Sequence, residues 1–246
     1  MRTSNHTLSL YTQYMKQLDK NQHIDAMVGY EWQHFRIRTD YFYSGRYPDS
    51  NLDEGLAGTL YNPSENTLYK SENYLVSFFG RVNYSLMNRY LLTFTLRNDG
   101  SSRFNKGHRW GVFPSVALAW KMSEENFLKD WEALDELKLR LGYGVTGQQE
   151  GIGDYTYFAT YTPNSQGAYY PAIGEGITYR PAAYNKELTW EKTTTFNAGI
   201  DFSFFNNRLS GSVDYYYRKT KDLINNVYVS AGSNFSAMVV SLQHNS

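Results

Sequence analysis

The sequence contains no cysteine, and its 24 basic side chains are matched by 24 acidic ones, which leaves a formal net charge of zero. The absence of cysteine excludes disulfide frameworks, cysteine-ligated zinc sites, iron–sulfur clusters and thiol nucleophiles. A net charge of zero gives no bulk electrostatic attraction to nucleic acid or to anionic lipid, so nucleic acid is not an expected partner. The pattern of side chains along the chain is therefore the main guide to the fold.

Long apolar runs are also missing. A membrane-spanning helix needs roughly 18 or more consecutive apolar residues, and the longest apolar stretch, Tyr90–Leu96, is interrupted by Thr93 and Thr95. Residues 1–7 lead directly into alternating residues, without the basic segment and apolar core of a secretory signal. A helical membrane protein is therefore excluded. If the protein belongs to the cell envelope, we expect the sequence to be a piece of a longer chain.

Aromatic residues, by contrast, are abundant. They make up 17% of the chain, with 23 tyrosines against 5 tryptophans, although the mean hydropathy is only −0.59. A soluble core built from Leu, Val and Ile does not usually carry so much tyrosine. Tyrosine has strand propensity and an amphipathic ring that suits the membrane–water interface, so the composition favours the wall of a β-barrel.

The dominant periodicity of the sequence is two residues. Every second residue from Tyr74 to Leu86 forms an apolar set that includes one glycine, and the residues between them are mostly polar. This predicts a strand longer than the about 5–6 residues usual in soluble proteins. Similar alternation predicts about eight long strands, at residues 5–16, 23–32, 74–86, 90–103, 110–121, 137–146, 194–205 and 208–218. Alternation alone leaves two folds open, because the apolar face meets a shared core in a soluble sandwich and lipid in a membrane barrel.

The connections between these strands alternate between short and long. Short ones lie at 16–22, 87–89 and 206–207, and longer ones at 34–73, 104–109, 149–187 and beyond 222. Short turns at one end and long loops at the other are typical of outer-membrane barrels, in which the turns are periplasmic and the loops extracellular. We therefore expect an all-β fold, a transmembrane antiparallel β-barrel of which this chain is a part.

One segment on the short-turn side departs from the strand pattern. Residues 123–134 have the composition of one or two helical turns, with Ser123 as the N-cap and acidic residues behind it. We expect a short helix there, at the periplasmic rim.

No catalytic or metal-binding constellation stands out. The five histidines are scattered, and neither a GxSxG elbow nor an SxxK pair is present. Gly142, Gly144 and Gly147 match GxGxxG, but a dinucleotide fingerprint must open a helix, and residues 148–155 have no helical pattern. Glycines that relieve crowding on a strand explain the match better. We expect no enzyme activity, no metal and no cofactor.

Charged residues lie on the polar side of the predicted strands. They fit a permeation path, ion pairs in a plugged lumen, or a solvated wall of mixed sign, and the last is the commonest situation in barrels. These residues are Asp25, Glu31, Arg81, Lys138, Arg140, Asp201, Asp214 and Arg218.

The long segment 149–187 concentrates tyrosines among glycine, proline and amide side chains. Aromatic faces next to amide and hydroxyl groups suit sugars or peptides. Packing of loop on loop, or an aromatic girdle that continues upward, explains the same residues equally well. The candidates for contact with a substrate or partner are Tyr155, Tyr157, Tyr161, Tyr169 and Tyr170.

Several stretches carry a family resemblance in the right order: RNDGSSRF at 97–104, FPSVALAW at 113–120, SEENFL at 123–128, LKLRLGYGVTGQ at 137–148, LTWEKTT at 188–194, NAGIDF at 197–202, and 207–223. With these the chain resembles the SusC/RagA-type TonB-dependent outer-membrane transporters of Bacteroidetes. The match is best over residues 70–230, and residues 1–69 fit preceding barrel strands more loosely.

The resemblance implies a barrel of about 22 strands, filled by a plug and opened by energy passed through TonB. It also implies contact with outer-membrane lipid in a Gram-negative bacterium, and a SusD-like surface lipoprotein that captures glycans or peptides. The sequence shows no signal peptide, TonB box, plug or terminal aromatic strand. We therefore expect residues 1–246 to form one partial barrel domain.

Two other classes of protein stay open. A self-contained eight-stranded outer-membrane barrel with a structural or adhesive role would have its lumen filled by side chains, and would need residues 5–16 to pair with 208–222. A barrel enzyme would need a nucleophile–base pair on the lumen or the rim, and the sequence suggests none.

Overall fold

The computed structural model describes residues 1–41, 67–163, 179–181, 183–228 and 237–242. The long strands are β1 (Arg2–Asp19), β2 (Gln22–Tyr41), β3 (Thr67–Leu86), β4 (Tyr90–Ser101), β5 (Trp110–Lys121), β6 (Leu134–Gln148), β9 (Glu191–Phe204) and β10 (Leu209–Lys221). They form one eight-stranded sheet in the order β1-β2-β3-β4-β5-β6-β9-β10, with antiparallel neighbours. The predicted all-β class and the eight predicted strands are confirmed.

Two short hairpins stand apart from this sheet. β7 (Tyr161–Pro163) pairs with β8 (Tyr179–Pro181), and β11 (Leu223–Tyr228) pairs with β12 (Ala237–Leu242). Both lie in segments that the sequence pattern assigns to long connections, so these connections contain strands of their own.

The long strands keep a continuous register. β2 and β3 run side by side from the Gln22–Leu86 pair to the Tyr41–Thr67 pair, and every residue of β2 has a partner. At about 3.3 Å per residue, the 20 residues of β2 extend over roughly 66 Å. A tilted barrel strand crosses a bilayer with about 9–11 residues. β2 and β3 are therefore long enough to project well beyond the hydrocarbon.

Tight connections close one end of the sheet, which we call the short-turn end. Lys20 and Asn21 join β1 to β2, residues 87–89 join β3 to β4, and residues 205–208 join β9 to β10. Met87 and Asn88 have φ values of 54° and 55°, the left-handed conformation that tight hairpins use. The predicted short turns are confirmed. The connections at the opposite, long-loop end are longer.

The short helix expected at 123–134 is wrong. A single 3-10 turn, Met122–Glu124, follows β5, with Lys121 rather than Ser123 at its N-cap position and no side-chain cap. The segment then continues as separate turns, such as the one closed by the Trp131 N–H donating to the Leu128 carbonyl at 3.1 Å.

Contacts with the neighbouring turn explain why this segment does not become a helix. The Trp131 ring packs edge-on against Phe204, with centroids 5.9 Å apart. The Phe205 N–H donates to the Ala133 carbonyl at 2.9 Å, and the Asn207 N–H donates to the Asp135 carboxylate at 2.9 Å. Isolated helices this short are marginal, so tertiary contacts decide the conformation. The predicted position at the short-turn end is correct.

The sheet has two faces of opposite chemistry. One face, which we call the outer face, presents exposed apolar side chains from strand to strand; 51% of Phe78 and 67% of Val213 is exposed. A soluble sandwich would cover such a face with a second sheet, whereas a barrel wall presents it to lipid. The membrane fold therefore accounts for the exposed rows, which include Leu8, Leu10, Val28, Phe94, Val116, Leu118, Tyr143, Phe196, Ile200 and Tyr215.

The opposite face, which we call the inner face, is polar and crowded. Gly29 lies beside Phe79 on the next strand, and a Cβ at Gly29 would collide with that ring. A Cβ at Gly199 would lie 2.9 Å from Arg140 Nη2 and would collide with the Asp214 carboxylate. Glycine at these positions admits large side chains from neighbouring strands.

The sheet is open. Both β1 and β10 lie wholly within the described residues, and among these residues β1 pairs with β2 alone and β10 pairs with β9 alone. A self-contained eight-stranded barrel requires pairing between β1 and β10, so that alternative is wrong. Within the described ranges, no helix is long and apolar enough to cross a membrane.

Candidate functional site at the long-loop end

The connections at the long-loop end pack around a small apolar core. Its members come from the 102–109 loop, the start of β5, the 149–160 loop and the segment that leads into β9. Because these parts share one core, the loops are held against the sheet. The buried members are Phe104, Phe113, Ile152, Leu188 and Trp190, and Leu75, Val145, Ile224 and Val239 pack against them.

Trp190 joins these parts. Its ring meets Phe113 edge-on, with centroids 5.4 Å apart, and lies 5.1 Å from the Phe104 ring. Its indole N–H donates to the Arg109 carbonyl at 2.9 Å, so the polar atom of this buried ring is satisfied. The entry into β9 is thereby fixed to the 102–109 loop.

A half-buried acid, Asp154, anchors the aromatic loop 149–160. Its carboxylate accepts hydrogen bonds from the Ser71 hydroxyl and from Asn73 Nδ2, the latter at 2.9 Å. Arg103 Nε donates to the same carboxylate at 2.9 Å, in an ion pair where only 10% of the Asp154 side chain is exposed. Charge-assisted hydrogen bonds are roughly twice as strong as neutral ones. Asp154 therefore ties its loop to β3 and to the 102–109 loop.

The β11–β12 hairpin is bound to the same region. The Ile224 N–H donates to Glu191 Oε2 at 3.1 Å, and Asn185 Nδ2 donates to the Val239 carbonyl at 3.2 Å. Glu191, at the start of β9, is only 9% exposed. The hairpin thus packs beside the start of β9, at the edge of the site.

A cavity of about 350 Å³ opens beside these contacts. Gln149 Oε1, on its wall, is buried and has no hydrogen-bond partner among the described residues. The volume lies within the about 300–1,000 Å³ of small-molecule sites, and the mixture of rings, amides and charges suits a sugar ring or a peptide segment. The walls are formed by Phe35, Asn73, Leu75, Asp99, Arg103, Gly147, Gln148, Gln149, Glu150 and Trp190.

Two of the five candidate tyrosines have described side chains. Tyr155 is 49% exposed, and the half-buried Tyr157 meets Phe158 edge-on at 6.2 Å. They lie one and three residues after Asp154, in the loop that this acid anchors. Tyr161 opens β7. Tyr169 and Tyr170 lie outside the described residues.

Ion pairs link the charged residues of the inner face on β6, β9 and β10. Arg140 donates from Nε and Nη2 to both Asp201 oxygens, at 2.9 and 2.7 Å, and from Nη2 to Asp214 at 2.9 Å. Lys138 Nζ lies 3.6 Å from Asp201. Four of the predicted polar-face charges therefore form one network.

A second group lies on β2, β3 and β4. Arg97 Nε donates to Asp99 at 2.7 Å, and Arg97 Nη2 donates to Ser77 at 2.9 Å and lies 3.5 Å from Glu31. Asp25 accepts hydrogen bonds from Gln13 at 2.7 Å and from Asn83 at 3.3 Å. These contacts favour the interpretation of the inner charges as partners of one another over that of a row of free permeation charges.

The GxGxxG match has no helix behind it. Gly142, Gly144 and Gly147 all lie within β6, which continues as a strand to Gln148. A Cβ at Gly142 would collide with the Asn197 side chain, so relief of crowding explains this glycine, as expected. Within the part of the chain that the structure describes, no group of three or more His, Asp or Glu side chains is placed to hold a metal ion.

Glu125 organises the short-turn end. The Tyr90 hydroxyl and the Trp120 indole N–H donate to Glu125 Oε1 at 2.6 and 3.1 Å, and Arg89 Nη1 lies 3.3 Å from Oε2. These hydrogen bonds, that of Tyr90 foremost, and the Arg89 charge hold the pKa of Glu125 below its usual value. The β5–β6 connection is thereby fastened to the β3–β4 turn.

The residues that build the site are not those that the sequence singled out. Arg103, Asp154 and Trp190 lie in three separate connections, and no spacing in the sequence indicates that they meet. The one local signal is an acid that follows two glycines, Gly151-Ile-Gly-Asp154, in an otherwise aromatic and polar loop.

Comparison with known proteins gives a consistent picture. A family model described as TonB dependent receptor-like, beta-barrel matches residues 2–245. The TonB-dependent receptor SusC of Bacteroides thetaiotaomicron is 51% identical over 239 residues, which is 96% of this chain and 23% of that protein. The TonB-dependent receptor P26 of Formosa agariphila is 33% identical over 234 residues, 92% of this chain and 23% of that protein. The chain therefore spans less than a quarter of these relatives.

Solved structures show the same fold. The RagAB peptide transporter superposes with a TM-score of 0.79 at 27% identity, over 98% of this chain and 26% of that chain. The siderophore receptor PirA of Pseudomonas aeruginosa superposes with a TM-score of 0.57 at 17% identity, over 98% of this chain and 37% of that chain. At that identity the second likeness shows the fold alone.

Proposed function

The chain belongs to the TonB-dependent receptor family, as part of the β-barrel of a SusC/RagA-type outer-membrane protein, and on that premise we propose that it supplies a wall sector and the substrate-facing rim of a nutrient importer. The family is one of receptors and transporters rather than of enzymes. The cargo we propose is an oligosaccharide, a peptide or a similar nutrient.

The anchored aromatic loop is the observation that carries this proposal. Asp154, paired with Arg103, holds residues 149–160 against the sheet, and the residues that follow it expose Tyr155 and Phe158 by 49% and 61%. Rings held on a fixed support lose little entropy when they contact a ligand. The cavity beside them offers amide and charged groups for the polar edges of a sugar or peptide.

The partners we propose follow from the family. A SusD-like surface lipoprotein would meet the long-loop end, where the exposed rings and the β11–β12 hairpin lie, and TonB would act through a part of the receptor outside this chain. The RagAB structure is named as a peptide transporter, which supports a peptide as one of the two cargo classes.

Removal of the loop tyrosines tests the proposal. In the complete receptor, Tyr155→Ala combined with Tyr157→Ala and Tyr161→Ala should weaken substrate capture or lipoprotein binding at least tenfold, because three aromatic contacts of about 0.5–1.5 kcal/mol each are removed. Uptake of labelled oligosaccharides and peptides by whole cells measures the first effect. Co-purification of the lipoprotein measures the second.

Phe127→Ala is the matched control, because Phe127 is 68% exposed in the β5–β6 connection at the short-turn end. It should leave uptake and complex formation unchanged. Heat-dependent migration on electrophoresis should show intact barrels for all variants. Unchanged uptake and complex formation in the tyrosine variant would count against the proposed rim.

A further inference from the structure

Aromatic rings lie on the outer face next to the short-turn end. Tyr90 and Trp120 are paired across β4 and β5, and their rings stack with centroids 6.2 Å apart. Alternate residues of a strand share a face, so Tyr90 lies on the same face as Phe94, which is exposed among the apolar rows. The stacked pair therefore belongs to the lipid-facing side of the wall.

The stacked pair lies at the lower edge of the apolar band. At the upper edge, the rings of Tyr74 and Trp32 have centroids 6.3 Å apart. Tyr84, diagonal to Tyr90 in the register, lies ten residues from Tyr74 on β3. Ten residues extend over roughly 33 Å, or about 25 Å in depth for a strand tilted by about 40°. Outer-membrane barrels have an apolar band of about 25 Å with rings at both edges, so these rings fit its two edges.

The β5–β6 connection, residues 122–133, begins at this lower edge and is attached to the stacked pair. Glu125 accepts hydrogen bonds from the Tyr90 hydroxyl and from the Trp120 indole N–H, at 2.6 and 3.1 Å. Because both donors belong to the outer face, the first half of the connection is held on the lipid side of the wall.

The second half of the connection is attached to the same face on β9. The Trp131 ring packs edge-on against Phe204, with centroids 5.9 Å apart. By alternation Phe204 shares a face with Phe202 and with Ile200, and Ile200 is exposed on the outer face. The rings of Phe202 and of Phe205, in the β9–β10 turn, lie 6.0 and 6.2 Å from Phe204. A row of rings therefore leads from the apolar band to Trp131 and Phe205.

Three large side chains are exposed in these two connections. Phe127, Trp131 and Phe205 are 68%, 53% and 57% exposed, and Phe127 lies between the two points of attachment, Glu125 and Trp131. Single exposed apolar side chains are common on proteins, but these belong to connections fastened to a surface that already faces lipid. Tryptophan suits the edge of a membrane, because its ring is apolar and its N–H can donate to headgroup oxygens. We call these three side chains the periplasmic rings.

We propose that the periplasmic rings form a membrane-anchoring surface, which inserts into the headgroup boundary of the phospholipid leaflet on the periplasmic side of the outer membrane. Continuity with the apolar band argues for lipid as the occupant, because a protein partner at this place would have to displace the lipid that covers the adjoining wall. The anchor holds the β5–β6 connection sideways against the membrane and away from the lumen. It fixes the depth of this part of the wall from the periplasmic side.

A fluorescent label at position 127 tests the anchor in the complete receptor, reconstituted into phospholipid bilayers. Any other cysteines are first replaced, and Phe127→Cys is labelled with the dye NBD. Lipids that carry a nitroxide near the headgroup should quench this label at least about threefold more strongly than a label on Lys106→Cys, because rings at a barrel edge lie at headgroup level. Lys106 is exposed in the 102–109 loop at the opposite end. Iodide in the water should quench the two labels in the reverse order, and equal quenching of both would overturn the proposal.

Replacement of Trp131 tests whether the rings hold the connection at the membrane. Trp131→Gln should reduce lipid quenching of the label at position 127 about twofold, whereas Trp131→Phe should keep it, because a ring at the interface is retained. Glu132→Gln, at the exposed neighbouring position, is the matched control and should leave quenching unchanged. Unchanged quenching in Trp131→Gln would overturn the proposal. If Trp131→Gln does not fold, a loss of quenching in a folded Trp131→Phe would overturn it as well.

These measurements involve neither cargo nor lipoprotein, so they stand or fall separately from the importer. The strands keep the barrel in the bilayer when one ring is lost. Phe127→Ala is therefore still expected to leave uptake unchanged.

Discussion

Asp154 shows how one side chain can hold a whole loop. Its carboxylate receives hydrogen bonds from β3 and an ion pair from Arg103, although the three partners are between 51 and 83 residues away in sequence. An acid this buried is stable only while such partners are present. The position of the aromatic residues behind it therefore depends on a single buried contact.

Replacement of Asp154 by alanine should free the 149–160 loop. The change leaves Arg103 partly buried without its partner, and a lost contact of this kind costs about 1–3 kcal/mol. Backbone amides of residues 152–158 should then exchange with deuterium about tenfold faster, with the strands unaffected. Glu150→Ala, an exposed neighbour, is the control. Equal exchange rates in both variants would show that the apolar core alone holds the loop.

Whether the position of a side chain could be predicted depends on how far apart in sequence the residues that determine it lie. The outer-face side chains follow from alternation, because a strand has only two faces and each residue falls on one of them. The pairing of Asp154 with Arg103 joins two loops whose relative position depends on the whole sheet. No local pattern contains that information, so the sequence pointed to the exposed tyrosines and missed the acid that positions them.

Among the elements, the number and order of the long strands and the tight turns were predicted, whereas the ends of β2 and β3 at the long-loop end and the longer connections were not. The start of β3 was predicted at Tyr74, whereas the strand begins at Thr67. The seven additional residues include Ser71 and Asn73, which bind Asp154, so loop contacts rather than an apolar face sustain that part of the strand. The same reason applies at 123–134, where contacts with the β9–β10 turn replaced the expected helix.

The β5–β6 connection should loosen in acid. The pKa of Glu125 is lowered by its contacts in the folded protein, so these contacts add stability above the usual glutamate pKa of about 4.3. That contribution disappears as the pH falls through the lowered value. Exchange of the backbone amides of residues 122–133, divided by the intrinsic exchange rate at each pH, should show less protection at acidic than at neutral pH.

Glu125→Gln should show weak protection of the same segment at neutral pH already, with little further loss of protection in acid. Glu132→Gln, at an exposed position of the same connection, should behave as the unmodified protein does. If Glu125→Gln loses as much amide protection on acidification as the unmodified protein does, a group other than Glu125 causes the loss.

On the scale of the whole molecule, the open sheet limits what the chain does alone. Among the described residues, β1 and β10 each have one edge without a partner strand, and unpaired backbone groups are not tolerated in hydrocarbon. Vesicles refolded with this chain alone should show no TonB-dependent uptake, whereas the complete receptor prepared in the same way is the positive control. Uptake by the isolated chain would contradict this prediction.

The membrane location and the transport function were inferred from different kinds of evidence. The alternation of side chains and of connection lengths predicted a barrel wall from the residues themselves, and the exposed outer face agrees. The role as an importer was inferred only from the family resemblance. The 51% identity to SusC confirms the family. Cargo does not follow from either, because strands that face lipid have the same chemistry whatever passes through the lumen.

The unbroken register of β2 and β3 has an evolutionary consequence. Twenty successive pairs leave no bulge to absorb an inserted or deleted codon. One added residue in mid-strand would turn Asp25 and Glu31 towards lipid and the apolar set towards the lumen. Insertions and deletions should therefore survive almost entirely in the connections, such as residues 42–66. Lineages of this family can then diversify at the cell surface while the wall keeps a constant length.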